Sequence, residues 1–141
     1  MAGPDLMTLT NSYVAVWNEP DAGRRAAAVR ALWSDDAVHV LQPPQEIRQA
    51  AAGLGFDRLV LEARGHEALE LRVTRAYEEF VAPGTFAFRA RGDADRLHDL
   101  VKFRWEMVPS GAVGGVAAVG LEILLLGADG RIVSDFQFIE G

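Results

Sequence analysis

The chain has 141 residues, half of them apolar, and a formal charge of −6 from 20 acids against 14 lysines and arginines. That length suits one domain spanning 1–141, and no stretch reaches the roughly 18 uninterrupted apolar residues of a membrane-spanning helix. Zero cysteines exclude disulfides, thiolate metal sites and thiol nucleophiles. Cations at Arg24, Arg25, Arg30, Arg48, Arg89, Arg91, Lys102 and Arg104 are scattered, mostly beside acids. They are not clustered as a phosphate-binding surface requires, so neither nucleic acid nor a membrane is an expected partner. No basic segment followed by an apolar one opens the chain, and a cytoplasmic location is expected. The high apolar content asks for a pocket lining, a subunit interface, or both.

Asp5 is placed to cap a first helix whose apolar residues, Leu6, Leu9, Tyr13, Val16 and Trp17, fall at helical spacing. Asn18-Glu19-Pro20 ends it, since proline disfavours helical geometry in the residue before it. Asp21 caps a second helix, with Val29, Leu32 and Trp33 on one face and Arg24, Arg25 and Arg30 on the other. Ser34-Asp35-Asp36 stops it, and Ala37 to Gln42 reads as a first strand. Pro44 suits the first turn of a short helix from Gln45 to Ala52 that Gly53 terminates.

Gly55 to Arg64 is ambiguous, with an extended reading at Leu59-Val60-Leu61. After Gly65, the stripe Leu69, Val73, Tyr77, Phe80 and Val81 predicts a helix ended by Pro83-Gly84. The rest reads as an antiparallel meander. Thr85 to Arg91 alternates weakly. Leu100 to Val108 sets Val101, Phe103, Trp105 and Met107 against Lys102, Arg104 and Glu106. A glycine-rich turn at Ser110 to Gly115 leads to a strand from Val116 to Leu126. The connection Gly127 to Gly130 then leads to the last strand, Arg131 to Ile139. Helices followed by a meander predict an α+β domain.

In the final hairpin, a four-residue loop places Leu126 opposite Arg131, Glu122 opposite Asp135 and Gly120 opposite Gln137. Two carboxylates that close on an apolar strand would not both ionise, and the resulting neutral acid beside a charged base serves general acid–base chemistry. The rival is an ion pair of Glu122 with Lys102 or Arg104; a one-residue difference in register decides whether Glu122 joins them or Phe103 and Trp105. His39, on the first strand, is either a general base titrating near neutral pH or a hydrogen-bonded structural residue. His66 and His98 fall at a helix start and a strand start, expected to be exposed and without metal-ligand spacing to His39. Tyr13, Trp17, Trp33 and Trp105 are core candidates with polar handles that can point into a pocket.

Tyr13-Val14-Ala15-Val16-Trp17-Asn18 and Leu32-Trp33-Ser34-Asp35-Asp36-Ala37 resemble the opening of nuclear transport factor 2-like proteins. Gly65-His66-Glu67-Ala68-Leu69, Phe103-Arg104-Trp105-Glu106, Gly120-Leu121-Glu122 and Asp129-Gly130-Arg131-Ile132 follow in that family's order. The pattern is most similar to SnoaL-like polyketide cyclases and to ketosteroid isomerases, with residues 44–64 as an insertion. The resemblance implies a cone of about three N-terminal helices on a strongly curved, mostly antiparallel sheet enclosing a pocket, and a homodimer built on the outer sheet face.

It also implies that Tyr13 and a protonated Glu122 stabilise an enolate. The isomerases' base, an aspartate before a proline on the first strand, is replaced here by Leu41 or Gln42, so Asp135 or His39 takes that task. Trp17, Leu41, Gln42, Phe103, Trp105 and Gln137 complete the expected substrate-binding set, and the helix from Pro44 to Gly53 is a candidate lid. The expected function is acid–base chemistry, without metal or cofactor, on a small hydrophobic oxygenated molecule; isomerase, cyclase, dehydratase and hydrolase outcomes all fit. The alternative is a non-catalytic ligand-binding or assembly domain.

Overall fold

The computed structural model describes residues 5–55, 61–111 and 115–140. Helices α1 (Leu6–Asn18) and α2 (Ala22–Leu32) open the chain. Each starts on its expected aspartate: Asp5 accepts from the Thr8 N–H at 3.1 Å and Asp21 from the Arg24 N–H at 2.7 Å, which satisfies donors a helix start leaves free. β1 (Trp33–Gln42) follows α2 directly. Ser34-Asp35-Asp36 does end the helix, but the backbone is already strand, so β1 begins four residues before Ala37 and the buried Trp33 belongs to the sheet.

Arg25 also departs from expectation. It is buried, its guanidinium donating to the Glu19 and Pro20 carbonyls and the Thr74 hydroxyl while lying 4.5 Å from the Tyr77 ring centre.

Next come α3 (Gln45–Gly53), β2 (Leu61–Arg64), α4 (His66–Ala76) with a π-helical turn at Tyr77–Val81, β3 (Phe86–Ala90), β4 (Asp95–Leu97), β5 (Leu100–Pro109), β6 (Ala118–Leu126) and β7 (Ile132–Glu140). Of the extended reading at Leu59-Val60-Leu61, Leu61 opens β2; residues 59 and 60 lie outside the described residues, as do 112–114 of the glycine-rich turn. Gly65, at φ +85°, holds the left-handed region that begins α4. His98 is exposed but sits in the tight turn between β4 and β5, before the strand. His66 is half-buried, donating to the Trp33 carbonyl at 2.8 Å.

The strands form one curved, unclosed sheet in the order β2-β1-β7-β6-β5-β3, with β4 also paired to β5. All neighbours are antiparallel except β1 and β7, which run parallel. The pure meander expected from sequence is therefore extended beyond β7 by β1 and β2, from earlier in the chain. The expected grouping of three N-terminal helices also changes, since only α1 and α2 precede the first strand. α4, from mid-chain, packs with them on the sheet's inner face.

That face holds the core: Leu9, Tyr13 and Val16 from α1, Val29 from α2, Leu69 and Val73 from α4, and Val101, Phe103, Trp105, Leu124 and Ile132 from the sheet. Among the described residues no helix is long and apolar enough to cross a membrane.

The β5 alternation holds. Lys102, Arg104 and Glu106 face outward, where Glu106 accepts from Arg89 and Arg91 and Arg104 pairs with Asp93 and Glu140. Phe103 pairs with Glu122, so Glu122 lies on the inner face and the ion pair with Lys102 or Arg104 does not form. The β6–β7 register differs from the simple loop count: Glu122 faces Gln137, Leu124 faces Asp135 and Gly120 faces Ile139. A bulge between Leu125↔Ser134 and Leu126↔Ile132 adds the unpaired Val133. The total slip is two residues, so the acids keep the same sheet face and sit diagonally, not opposite.

Candidate functional site

Four strands lay a polar row across the inner face. On β1, His39 lies beside Asp135 of β7; on β6, Glu122 lies beside Gln137; Trp105 of β5 adjoins Gly120. A methyl group on Gly120 would overlap the Trp105 indole. The missing side chain leaves the ring room to lie flat and donate from Nε1 to Glu122 Oε1 at 2.9 Å. Tyr13, held among Trp17, Trp33 and Phe103, reaches across from α1 and donates to Asp135 Oδ2 at 2.7 Å.

Glu122 and Asp135 are both fully buried, and Glu122 Oε2 and Asp135 Oδ1 have no hydrogen-bond partner. Burial first, and the Asp135 charge second, push the Glu122 carboxyl well above the usual range, so it keeps its proton. That proton gives the orphaned oxygens a donor. The same burial and acidic neighbours push the Tyr13 phenol up, leaving it a hydrogen-bond donor.

His39 is buried, and its hydrogens follow from its partners. An Arg72 guanidinium nitrogen lies 2.8 Å from Nδ1 and can only donate, so Nδ1 carries the lone pair and Nε2 the hydrogen. Nε2–H then donates to Gln137 Oε1 at 2.9 Å, with Asp135 Oδ2 4.0 Å away. Burial pulls the His39 value down and Arg72 adds to this, against the opposing pull of Asp135, so the ring is neutral. His39, Glu122 and Asp135 bring potential ligand atoms within 4.8 Å of one another. As arranged they do not suit a metal: the one imidazole nitrogen facing the acids carries a hydrogen, and the other faces a cation.

A mainly apolar hollow of about 410 Å³ borders this row, within the range of small-ligand sites. Of the residues named from sequence, Tyr13, Trp17, His39, Leu41, Trp105 and Gln137 line it. Glu122 and Asp135 lie one layer behind, screened by Tyr13, His39, Gln137 and Trp105. Phe103 is buried under Tyr13, and Gln42 pairs with Phe138 on the outer face. α3 contributes Ile47 and its leading Pro44 to the wall. Arg72 was not anticipated, although it falls among Leu69, Val73, Ala76 and Phe80 on the apolar stripe of its helix, and an arginine inside such a stripe is a readable signal.

A wider recess of about 480 Å³ lies between α1, α2 and the β6–β7 hairpin. Its charged residues pair with one another, Arg131 with Asp129 and Arg96 with Asp99, and it holds no buried titratable group.

No protein-family model matches the sequence, and no curated protein does. Solved structures do. A proposed isomerase of the SnoaL-like family from Agrobacterium tumefaciens superposes with a TM-score of 0.75 at 24% identity, over 96% of this chain and 97% of that one. An NTF2-like protein of unknown function from Exiguobacterium gives 0.61 at 19% identity over 94% and 98%. A protein of ketosteroid isomerase-like fold from Catenulispora acidiphila gives 0.57 at 16% identity over 96% and 85%. The chain therefore has the nuclear transport factor 2-like fold, as the sequence resemblance implies. Its particular chemistry has to be argued from its own residues.

Proposed function

We propose that this protein is a cofactor-independent acid–base enzyme of isomerase, cyclase, dehydratase or hydrolase type. Its substrate is a small hydrophobic oxygenated molecule held in the hollow, which serves as the pocket of the cone that the resemblance implies. One observation carries the reading: a neutral histidine on an apolar wall, backed by a buried aspartate that itself is held by a tyrosine. A proton leaving substrate carbon passes to His39 Nδ1 when Arg72 turns from the imidazole to a substrate oxygen. Asp135, 4.0 Å from Nε2, stabilises the resulting imidazolium, and Tyr13 holds Asp135 in place.

Tyr13 and Glu122 are committed to the buried cluster. The developing oxyanion is therefore met by donors on the wall, the Gln137 amide N–H and the Trp17 indole N–H.

The test is exchange of α-protons in D2O, followed by proton NMR over a panel of hydrophobic ketones and enones. Wild type should accelerate exchange of at least one, and H39N and D135N should each lower that rate about 100-fold, the scale of acid–base catalysis. Binding of panel members without any exchange above buffer would remove catalysis. A second reading, a ligand-binding domain, draws support from the placement of both carboxyl groups behind the wall.

The same fold reading extends to a homodimer. Leu121, Ile123, Phe136 and Phe138 form an apolar row on the outer sheet face, with Phe136 40% and Phe138 37% exposed; such a row marks an interface.

A further inference from the structure

Among the described residues seven of twelve arginines pair with a carboxylate, and Arg24, Arg48 and Arg75 do not. Arg30, Arg64, Arg89, Arg91, Arg96, Arg104 and Arg131 each reach a carboxylate. Arg25, drawn inside, is saturated by two carbonyls, a hydroxyl and a tyrosine ring.

Arg72 reaches none either, and it is the arginine that lines the hollow. It is half-buried, and one terminal nitrogen carries all its hydrogen bonds: to His39 Nδ1, to the His39 carbonyl at 3.1 Å and to the Leu61 carbonyl at 3.2 Å. Among the described residues its Nε and other terminal nitrogen donate to nothing and no carboxylate reaches it. A guanidinium is a planar fork suited to two parallel bonds to a carboxylate, and here the fork is half used beside apolar surface. Trp17 lines the same wall, and its indole N–H is buried without a partner among the described residues. Both are donors, and among the described residues no carboxylate side chain lines the hollow. A buried indole N–H ordinarily finds an acceptor, and the unused Arg72 nitrogens are open to one.

We propose that the hollow selects an apolar carboxylate. Its head is held by the free edge of Arg72, with the Trp17 N–H as a further donor, and its body lies against Leu41, Phe88, Trp105, Met107 and Ile139. The exposed Ile47 and Phe80 mark the open rim through which it enters. This deepens the functional reading, resting on the hollow being a ligand site but not on any catalytic step.

The test is calorimetric titration of the full chain at pH 7.5 with decanoate and with 1-decanol, which share a tail and differ in head group. Decanoate should bind about tenfold or more tighter, as one charge-assisted hydrogen-bond pair provides. R72M should lose that margin while leaving decanol within about threefold, and W17F should weaken decanoate by a smaller factor. The wild-type comparison needs no variant; R72K keeps the charge without the fork, and serves should R72M fail to fold. Equal binding of the two probes, or a margin that survives R72M, overturns the carboxylate assignment and leaves a ligand site standing. Binding of neither at millimolar concentration overturns the assignment together with the reading of the hollow as a ligand site.

Discussion

Replacing Glu122 by glutamine tests the buried acid directly, because glutamine mimics the protonated carboxyl. It keeps an oxygen for the Trp105 N–H and offers an amide N–H toward Asp135. The native value lies above the unfolded one of about 4.5, so between the two the folded chain holds a proton that the unfolded chain releases. Stability is then full below pH 4.5 and falls as pH rises toward the native value, by about 1.4 kcal/mol per pH unit. Against a total of roughly 5–15 kcal/mol for a domain, that slope is easily measured.

His39 acts with the opposite sign. Its native value is lowered from 6.5, so its contribution is complete above 6.5 and is lost as pH falls below it. Tyr13 adds a loss only above pH 10, and Glu106 and the exposed Asp129, whose values are lowered, act only in acid. These contributions are common to wild type and E122Q, so the difference between the two isolates Glu122. Urea unfolding from pH 5 to 9 should show wild type losing stability relative to E122Q as pH rises from 5 toward the raised native value. Equal slopes in the two proteins would mean that Glu122 is ionised in the native state.

Three further outcomes follow from the same contacts. G120A forces the Trp105 indole off its seat and breaks its bond to Glu122; overpacking together with an orphaned buried acceptor should cost about 3 kcal/mol, read by thermal unfolding and by a shifted Trp105 indole NMR signal. Y13F strips Asp135 Oδ2 of its donor and should cost about 1–3 kcal/mol in urea unfolding, with no change in secondary structure by circular dichroism. F136R places a charge in the outer apolar row and should convert a dimer to monomer in sedimentation at micromolar concentration; a wild type that sediments as monomer at the same concentration removes the interface.

Much of the fold was legible because its signals are local. Asp5 and Asp21 cap the helices they were assigned, and the alternation from Val101 to Met107 gave the correct inner face of β5. What escaped depends on distant partners. The parallel pairing of β1 with β7 joins residues almost a hundred positions apart, and nothing in either strand announces it.

The turn moved the hairpin register by one and the bulge at Val133 by one more, yet parity survived. Glu122 and Asp135 therefore kept their face although they are not directly opposed. Arg25 was read as solvent-facing because charge usually is, and Arg72 was not singled out. Both fall on their helices' apolar stripes, Arg25 with Val29 and Leu32, and Arg72 with Leu69 and Val73, and position outweighed polarity.

A core selected for stability alone would not hold this row. Buried charged groups can often be exchanged for apolar ones of similar volume at no loss, or with gain; here a histidine, two acids and a glutamine occupy inward positions on strands otherwise built from Val, Leu and Ile. The surrounding residues are arranged to keep them in one configuration. Gly120 clears space so that Trp105 can hold Glu122, three aromatic rings fix Tyr13 so that it can hold Asp135, and Gln137 and Arg72 set the hydrogens of His39. The row is also polarised: a positive guanidinium stands at the hollow, a neutral imidazole follows, and the Asp135 charge lies behind it. Only the guanidinium end touches the hollow with unused donors. A negative oxygen arriving there would offset the very charge that disfavours a proton on His39, and would leave Asp135 as the dominant influence on the ring.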